Sequence, residues 1–289
     1  MMMRPFMPDQ HRKFYNQLPF MVIGSVDDSE APWASIVFGI PGFVTSPNDK
    51  KLVISTRPVK GDPLAKNLEP SAAISILGIE PQTRRRNRLN AVVSSVTEEG
   101  SAINVVQSFG NCPQYIQTRD MTFIRDPHTA ADIVREEFTE LDDKLRKLIS
   151  ISDTFFVASH NPIDDKHDTG GVDVNHRGGM PGFIRIKGDT LTIPDYRGNF
   201  AFNTLGNLIL NPKAGLLFID FVTGDLIQLT GTTELLLDLT EEEKRGMSAE
   251  RAWRFTLDHG HRLKDACPVR WTFGEYSPRN PLSNQPTET

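Results

Sequence analysis

The hexapeptide Gly39–Val44 (GIPGFV) recurs 140 positions later as Gly179–Ile184 (GMPGFI). In both places an aromatic-led, strand-like run precedes it, and a second strand, a polar turn and a short helix follow it. The preceding runs are Phe20–Ser25 and Phe155–Ser159, and the following strands are Lys51–Ser55 and Thr190–Ile193. A single hexapeptide is open to the alternative of a turn motif repeated by chance. The ordered series of matches instead predicts an internal duplication.

The match continues through the short helix of each copy, which is predicted to end at a proline, Pro70 or Pro212. Bounded apolar runs follow, and then further strands at Arg86–Val96 and Leu226–Leu237. Short strands at close spacing with one helix per copy are typical of a small antiparallel barrel. We therefore expect a mainly β protein with peripheral helices, in which two tandem barrels form a pseudo-dimer within one chain.

This duplication suggests a division of the chain into four parts. Each barrel copy takes a little over 120 residues, with a linker between them and a polar tail after the second. A short helix leads into the first copy. Phe138, Leu141, Leu145 and Leu148 recur at helical spacing in the linker, so the linker helix is expected to pack on a barrel. The predicted parts are residues 1–126 with a helix at Asp9–Leu18, residues 127–150 with a helix at Glu136–Ile149, residues 151–278, and a disordered tail at 279–289.

The bulk composition limits the partners of the protein. The formal charge is −5 over 289 residues, which argues against nucleic acid and anionic membranes, since both bind mainly through cationic surface. The two cysteines provide no disulfide framework, and the apolar N-terminal run is broken by prolines. We expect a soluble, cytoplasmic protein with a small-molecule partner.

Two turns are candidates for binding a phosphate group. Thr56–Leu64 and Asp195–Thr204 each lie between a strand and the start of the short helix, where unpaired backbone N–H groups favour an anion. The cationic and amide side chains at these turns would complete the cradle, and the alternative is a solvated turn whose arginine faces water. The residues concerned are Arg57 and Lys60 in the first copy, and Arg197, Asn199 and Asn203 in the second.

An arginine-rich strand entry, Thr83–Asn90, is a second candidate. Alternation along a strand places Arg84, Arg86 and Arg88 on one face, where three guanidinium groups need anions or carboxylates nearby. A bound phosphate, the other copy or a small acidic substrate would supply them, and an exposed basic strand end is the alternative. Cys112 has no CxxC partner and is expected to be a small packed residue.

A third candidate is Asp173–Gly179, where two glycines let the backbone approach a flat ligand. His176 and Arg177 would then face the electron-rich edge of a ring, or His176 is a structural loop histidine. No metal site is predicted, because His259-Gly260-His261 and Asp164–Asp168 lack the helical spacing of a zinc pair and any cysteine support.

Taken together, these motifs resemble those of the FMN-binding split-barrel proteins related to pyridoxamine 5′-phosphate oxidase, in particular their two-copy branch. The resemblance covers about residues 9–271 and rests on several runs. These are Pro32–Ser35, Gly39–Val44, Gly61–Leu64, Thr83–Asn90 and Gln107–Gln117 in the first copy, and Asp153–Phe156, Asp173–Ile184, Pro194–Leu208 and Asn211–Leu229 in the second.

The resemblance implies a six-stranded split barrel per copy, with FMN bound between the copies and oxidoreductase activity on a small molecule or reduced nicotinamide. A non-catalytic FMN carrier, and a split barrel that binds haem or a deazaflavin, are the alternatives. The protein is also compatible with a homodimer of two-copy chains. The implied cofactor-binding residues are Trp33, Ser35, Arg57, Lys60, Arg86, Arg88, Asn175, His176, Arg177, Asp195, Tyr196, Arg197, Asn199, Asn203 and Thr204.

The sequence departs from the oxidase itself in two motifs. The Ser-Arg-Lys phosphate run of that enzyme and its C-terminal Arg-x-His pattern are both absent. These departures argue against pyridoxamine phosphate as the substrate.

Overall fold

The repeated hexapeptide forms the same tight turn in both copies of a computed structural model that describes residues 3–129, 132–162, 171–196 and 203–281. The glycine after the proline of the motif has a positive φ in both copies: +100° at Gly42 and +87° at Gly182. A side chain at Gly39 would lie 2.3 Å from the Phe43 ring. In both occurrences the glycines of the motif permit a left-handed turn and close packing of the aromatic ring.

Each copy has its own sheet of seven strands, with a short helix between the fourth and fifth of them. The elements of the first copy are α1 (Asp9–Gln17), β1 (Phe20–Val26), β2 (Pro32–Phe38), β3 (Val44–Asn48), β4 (Lys51–Ile54), α2 (Leu64–Asn67), β5 (Ala73–Glu80), a 3₁₀ turn (Pro81–Thr83), β6 (Arg85–Thr97), β7 (Gly100–Gly110) and β8 (Arg119–Phe123).

The linker and the second copy follow the same plan. Their elements are β9 (Arg135–Phe138), α3 (Asp143–Ile151), β10 (Thr154–Asn161), β11 (Gly171–Gly178), β12 (Arg185–Lys187), β13 (Thr190–Asp195), α4 (Asn203–Leu210), β14 (Lys213–Ile219), β15 (Leu226–Leu236), α5 (Glu241–Met247), β16 (Arg251–Leu263) and β17 (Val269–Phe273).

The two large antiparallel sheets have the same strand order. The first runs β2-β1-β5-β6-β7-β4-β3 and the second β11-β10-β14-β15-β16-β13-β12, with β9 added beside β16. Each path has seven strands, where the resemblance implies six. The expected fold class is confirmed: the protein is mainly β, with two tandem antiparallel sheets and few helices.

Side-chain alternation along the strands separates three apolar layers. Met21 and Ile23 of β1 point into the core of the first copy, while Phe20 and Val22 on its other face pack against the second copy. In the second copy Phe155 belongs to the internal core and Phe156 to the shared layer. We call this shared apolar layer the seam; it also contains Ile36, Leu77, Leu217, Leu263 and Trp271.

A buried hydrogen bond holds the short helix against the first strand in the same way in each copy. Asn67 Nδ2 donates to Ser25 Oγ at 2.9 Å, and Asn207 Nδ2 donates to Ser159 Oγ at 3.0 Å. The two asparagines lie 140 positions apart, as the hexapeptides do, and the two serines lie 134 positions apart. Equivalent residues of the copies can therefore be matched one to one.

The linker differs from the sequence expectation. Residues 136–149 do not form one helix: Arg135–Phe138 is a strand that pairs with β16, and the helix begins only after Asp142, whose side chain caps it by accepting from Leu145 N at 2.7 Å. A carboxylate at an N-cap fixes a helix start at that residue. Leu141, Leu145 and Ile149 are buried in the second copy, so the packing of this segment on a barrel is confirmed.

The last strands of the two copies pair with each other. β8 and β17 form a separate two-stranded antiparallel sheet in which Met121 lies opposite Trp271. The helix predicted at Asp9–Leu18 is observed as α1. Among the described residues, no helix is both long and apolar enough to cross a membrane.

Candidate functional site

A cleft of about 1280 Å³, here called the open cleft, lies where the first copy, the linker and the second copy meet. The turn Ser55–Lys60 forms one wall and the β6–β7 hairpin at 96–101 forms another. The linker adds Ile133, and the second copy adds Ala266 and Pro268. Binding sites for small molecules are concave, largely apolar and typically about 300–1,000 Å³, so this cleft has room for a flat cofactor.

Cationic groups line the open cleft. Arg57 donates through Nε to the carbonyl of Glu98, and Lys60 Nζ lies 3.7 Å from Asp132 Oδ1 with both side chains exposed. Arg125 pairs with Asp265 at 3.2 Å. Exposed contacts such as these contribute little to stability. Arg57 and Lys60 can therefore exchange them for a phosphate group at a small cost in free energy.

The helix start next to this turn is already capped. The buried carboxylate of Asp62 accepts from Leu64 N at 2.8 Å and from Ser35 Oγ at 2.6 Å. Burial raises the pKa of Asp62 to about 6, and the hydrogen bonds from Ser35 and Leu64 oppose that rise. In the first copy, an anion would thus be held by the side chains of the turn and not by the amides at the start of α2.

A hydrogen-bonded chain, here called the seam network, joins Asp62 to the second copy. Gln228 Nε2 donates to Ser35 Oγ at 3.1 Å, and His261 Nε2 donates to Gln228 Oε1 at 2.9 Å. Burial, followed by the positive charge of Arg135 and the neighbouring His259, lowers the pKa of His261 to about 3. His261 is therefore neutral at physiological pH.

Trp33 belongs to the same region. Its ring lies 5.3 Å from that of His261 and 5.5 Å from that of His259, and its Nε1 donates to Asp27 Oδ2 at 2.7 Å. The Trp33 ring thus contacts both histidines of β16, that of His259 edge-on and that of His261 at a tilt. Among the described residues, no cluster of three or more metal-ligating side chains occurs.

The equivalent position in the second copy is closed. A void of about 10 Å³, here called the sealed pocket, is surrounded by Arg86, Tyr115, His176, Arg177 and Tyr196. The rings of Tyr115 and Tyr196 pack together with centroids 5.2 Å apart. Thr45 pairs with Val53 in the first copy and Arg185 with Thr192 in the second, so β4 and β13 are offset by 139 residues. By this register, Tyr196 stands where the first copy has Arg57. The aromatic pair forms one wall of the sealed pocket.

Next to the sealed pocket, buried groups form a second network across the seam. Arg88 Nη1 donates to Asp173 Oδ2 at 2.8 Å, with both side chains almost fully buried. Asn175 Nδ2 donates to Asp173 Oδ2 at 2.5 Å and to Thr204 Oγ1 at 2.6 Å. Arg88 also lies over the Phe109 ring, 4.5 Å from its centroid. In this network Asp173 neutralises the charge of Arg88, one of the arginines on the β6 face.

The predicted site residues thus fall into separate groups. Arg57 and Lys60 line the open cleft, Trp33 and Ser35 join the seam network, and the largest group surrounds or adjoins the sealed pocket. That group contains Arg86, Arg88, Asn175, His176, Arg177, Asp195, Tyr196 and Thr204. Arg197 and Asn199, like Asp164–Asp168, lie outside the described residues, and Asn203 begins α4 without a described side chain.

Two expectations about individual residues were wrong. Arg84 does not share the strand face of Arg86 and Arg88, because it ends the 3₁₀ turn with a φ of +54° and donates through Nε to Ile116 O. Cys112 is exposed, not packed. Both lie in irregular backbone at the ends of β6 and β7, where strand alternation does not apply.

Sequence reasoning also missed several residues that the structure brings to these sites. Asp62, Gln228 and His261 complete the seam network, and Arg125 and His128 line the open cleft. The repeat contained a signal for Gln228, which lies 140 positions after Arg88 and so occupies the equivalent strand position. Nothing in the local sequence distinguishes Asp62 from an ordinary turn aspartate.

Comparisons with known proteins place the first copy in context. Residues 7–128 match the family model described as pyridoxamine 5′-phosphate oxidase. No curated protein matches the chain.

Several solved structures are similar to part of the chain. An FAD-binding protein from Mesorhizobium loti has 12% identity over 45% of this chain and 98% of its own, with a TM-score of 0.32. A putative pyridoxamine 5′-phosphate oxidase from Lactobacillus delbrueckii has 11% identity over 37% and 95%, with a TM-score of 0.30. HutZ, a haem storage protein from Vibrio cholerae, has 12% identity over 43% and 94%, with a TM-score of 0.29.

Proposed function

We propose that the protein is an FMN-binding flavoprotein that acts as an oxidoreductase, and the match of residues 7–128 to the pyridoxamine 5′-phosphate oxidase family model supports this proposal. The observation that carries the proposal is the open cleft, whose walls come from both copies and the linker and whose turn presents Arg57 and Lys60. In this proposal the two copies arose by duplication and act as an intrachain pseudo-dimer. Their common strand order supports that view.

The residues of the open cleft fit a phosphorylated flat ring. Arg57 and Lys60 make only exposed contacts, so they can turn to a phosphate group without leaving a buried carboxylate unpaired. Val59, Leu68 and Ile133 supply apolar surface for ring packing. When bound, FMN supplies an acceptor for hydride or single electrons, while the chain supplies position and electrostatics.

The chain's own contribution to redox chemistry would come from cations near the ring. Arg125 and His128 line the same cleft and would stabilise negative charge on a reduced flavin. A small molecule or reduced nicotinamide is the proposed electron donor. We also propose a cytoplasmic location, which is consistent with two cysteines that form no disulfide.

The first test is a flavin titration followed by quenching of FMN fluorescence. Each charge-assisted hydrogen bond to a phosphate contributes about 1.5–3 kcal/mol, so the double variant Arg57→Met, Lys60→Met should raise the Kd for FMN at least tenfold. Arg254→Met is the matched control, because Arg254 pairs with Glu234 on an exposed face of the second copy. Weaker binding in Arg177→Met with unchanged binding in the double variant would move the flavin to the second copy and refute this assignment.

Activity is tested separately. Anaerobic mixing of the FMN-loaded protein with NADH or NADPH should bleach the flavin bands. Bound flavin that no nicotinamide reduces would favour the carrier alternative. A haem protein would show an intense Soret band after purification, and His128 in the open cleft is the side chain that would make that alternative chemically reasonable.

A further inference from the structure

We propose that the sealed pocket binds one halide-sized anion, chloride in solution, between a guanidinium of the first copy and one of the second. The two groups are Arg86 on β6 and Arg177 on β11. This site is independent of the flavin proposal, because it uses neither the open cleft nor the Arg57–Lys60 turn. The anion would connect the two copies through charge.

The first reason is an imbalance of buried charge. Four arginines and two aspartates meet around the pocket, and two ion pairs account for Arg88 with Asp173, at 2.6 Å, and for Arg251 with Asp195, at 3.0 Å. Among the described residues, no carboxylate oxygen lies within the 4.0 Å salt-bridge distance of the Arg86 or Arg177 guanidinium. The carboxylates of Asp195 and Asp173 act on Arg177 only from a longer distance, so neither buried guanidinium has an anion in direct contact.

The hydrogen bonds of these two side chains are also incomplete. Arg177 is 8% exposed; its Nη1 lies 3.4 Å from His176 O, and its buried Nε has no hydrogen-bond partner. Arg86 donates through Nε to Cys112 O at 2.7 Å, while its Nη1 makes only long contacts of 3.4 Å to His176. Buried donors left in this state cost free energy unless an acceptor reaches them.

The electrostatic environment is consistent with a missing anion. Burial, and then the positive charges of Arg177 and Arg88, lower the pKa of Arg86 to about 9. Burial and the charge of Arg86 also hold the pKa of His176 well below its usual range, so His176 is neutral. A single negative charge between Arg86 and Arg177 would relieve both effects.

The size of the pocket selects the anion. A void of about 10 Å³ accommodates about one particle of the size of a water molecule. Phosphate would require the packed rings of Tyr115 and Tyr196 to separate, whereas chloride, a single ion only somewhat larger than water, needs a much smaller adjustment of the surrounding side chains. The Gln114 side chain lines the same void, its Oε1 has no partner, and its NH₂ group can turn toward an anion.

The test measures thermal stability against chloride concentration at constant ionic strength, with gluconate as the balancing anion. A ligand that binds only the folded protein raises the Tm as its concentration rises above Kd, by about 3 °C for each tenfold increase. We expect this rise in the wild type and in the control Arg254→Met, and its loss in Arg177→Met. An equal chloride response in Arg177→Met, or a response to phosphate with none to chloride, would overturn the proposal.

Because Arg177→Met changes a buried residue, a second measurement uses the wild-type protein alone. Crystals soaked in bromide should show an anomalous peak between the guanidinium groups of Arg86 and Arg177. A peak only at exposed lysines, with none in the sealed pocket, would refute a built anion site. Loss of FMN binding in the Arg57, Lys60 double variant has no bearing on either result, so the two proposals fail separately.

Discussion

Asp62→Asn is expected to stabilise the protein at neutral pH and to have little effect in acid. The carboxyl group of Asp62 is 3% exposed, and one of its oxygens, Oδ2, has no hydrogen-bond partner. The other oxygen accepts from Ser35 and Leu64, and an amide oxygen accepts in the same way. The substitution therefore removes a buried charge while it keeps the hydrogen bonds.

The magnitude follows from the pKa. Burial raises the pKa of Asp62 from 3.8 to about 6 in the folded protein. Between these two values the folded state binds more protons than the unfolded state, so this group's contribution to stability is fully present below 3.8 and is lost as the pH rises through 6. At 1.36 kcal/mol per pKa unit, ionised Asp62 costs about 3 kcal/mol at pH 8, and Asn recovers up to that amount.

The assay is urea unfolding of both proteins across this pH range. Asp27→Asn is the matched control, for which the opposite change in stability is expected. Burial raises the pKa of Asp27, but hydrogen bonds from Ser29 and Trp33 outweigh the effect of burial, and the net pKa is lowered. Replacing this stabilised carboxylate with Asn should therefore destabilise the protein at neutral pH. If Asp62→Asn is as stable as the wild type at pH 8, or if its advantage grows toward acid, the inference of a buried, strained carboxylate is wrong.

Three further substitutions test packing at the seam and within the copies. Gly215→Ala should be strongly destabilising in thermal unfolding, because its Cβ would lie 2.2 Å from the backbone oxygen of Pro32 across the seam. In the control Gly206→Ala, in α4, the added Cβ meets nothing within 4 Å, so this substitution should stabilise the protein by about 1 kcal/mol. Equal effects of the two substitutions would argue against close contact at the seam. Asn67→Ala should lower the free energy of unfolding by about 1–3 kcal/mol, since it leaves the buried Ser25 hydroxyl without its donor; an unchanged urea midpoint would contradict this role.

The fold was largely predictable, because the repeated motifs determine local backbone structure and recur in the same order in both copies. GxPGF specifies a left-handed glycine turn with a packed aromatic ring, and bounded apolar runs such as Leu216–Ile219 indicate buried strands. The prediction was wrong in the linker, where Glu136 and Glu137 belong to a strand held by β16. Helical spacing of four apolar residues does not reveal such tertiary pairing.

The site was less predictable, because charge pairs across the seam depend on which faces meet. Strand alternation correctly placed Arg86 and Arg88 on one buried face, but Asp173, 85 positions away from Arg88, became its partner only through the packing of the two copies. The two sites also differ at one matched position, where Tyr196 packs against Tyr115 in the sealed pocket and Arg57 lines the open cleft. Local sequence indicates neither contact.

The pairing of β8 with β17 has a consequence for synthesis of the chain. Met121 lies opposite Trp271, so β8 has no strand partner until a segment 150 residues further along the chain has been translated. Until then its edge is exposed to any other extended segment, including the same strand of a second nascent molecule. Contacts this distant in sequence form slowly, and we expect the joint to be the last step of folding and the point at which two molecules exchange strands by mistake.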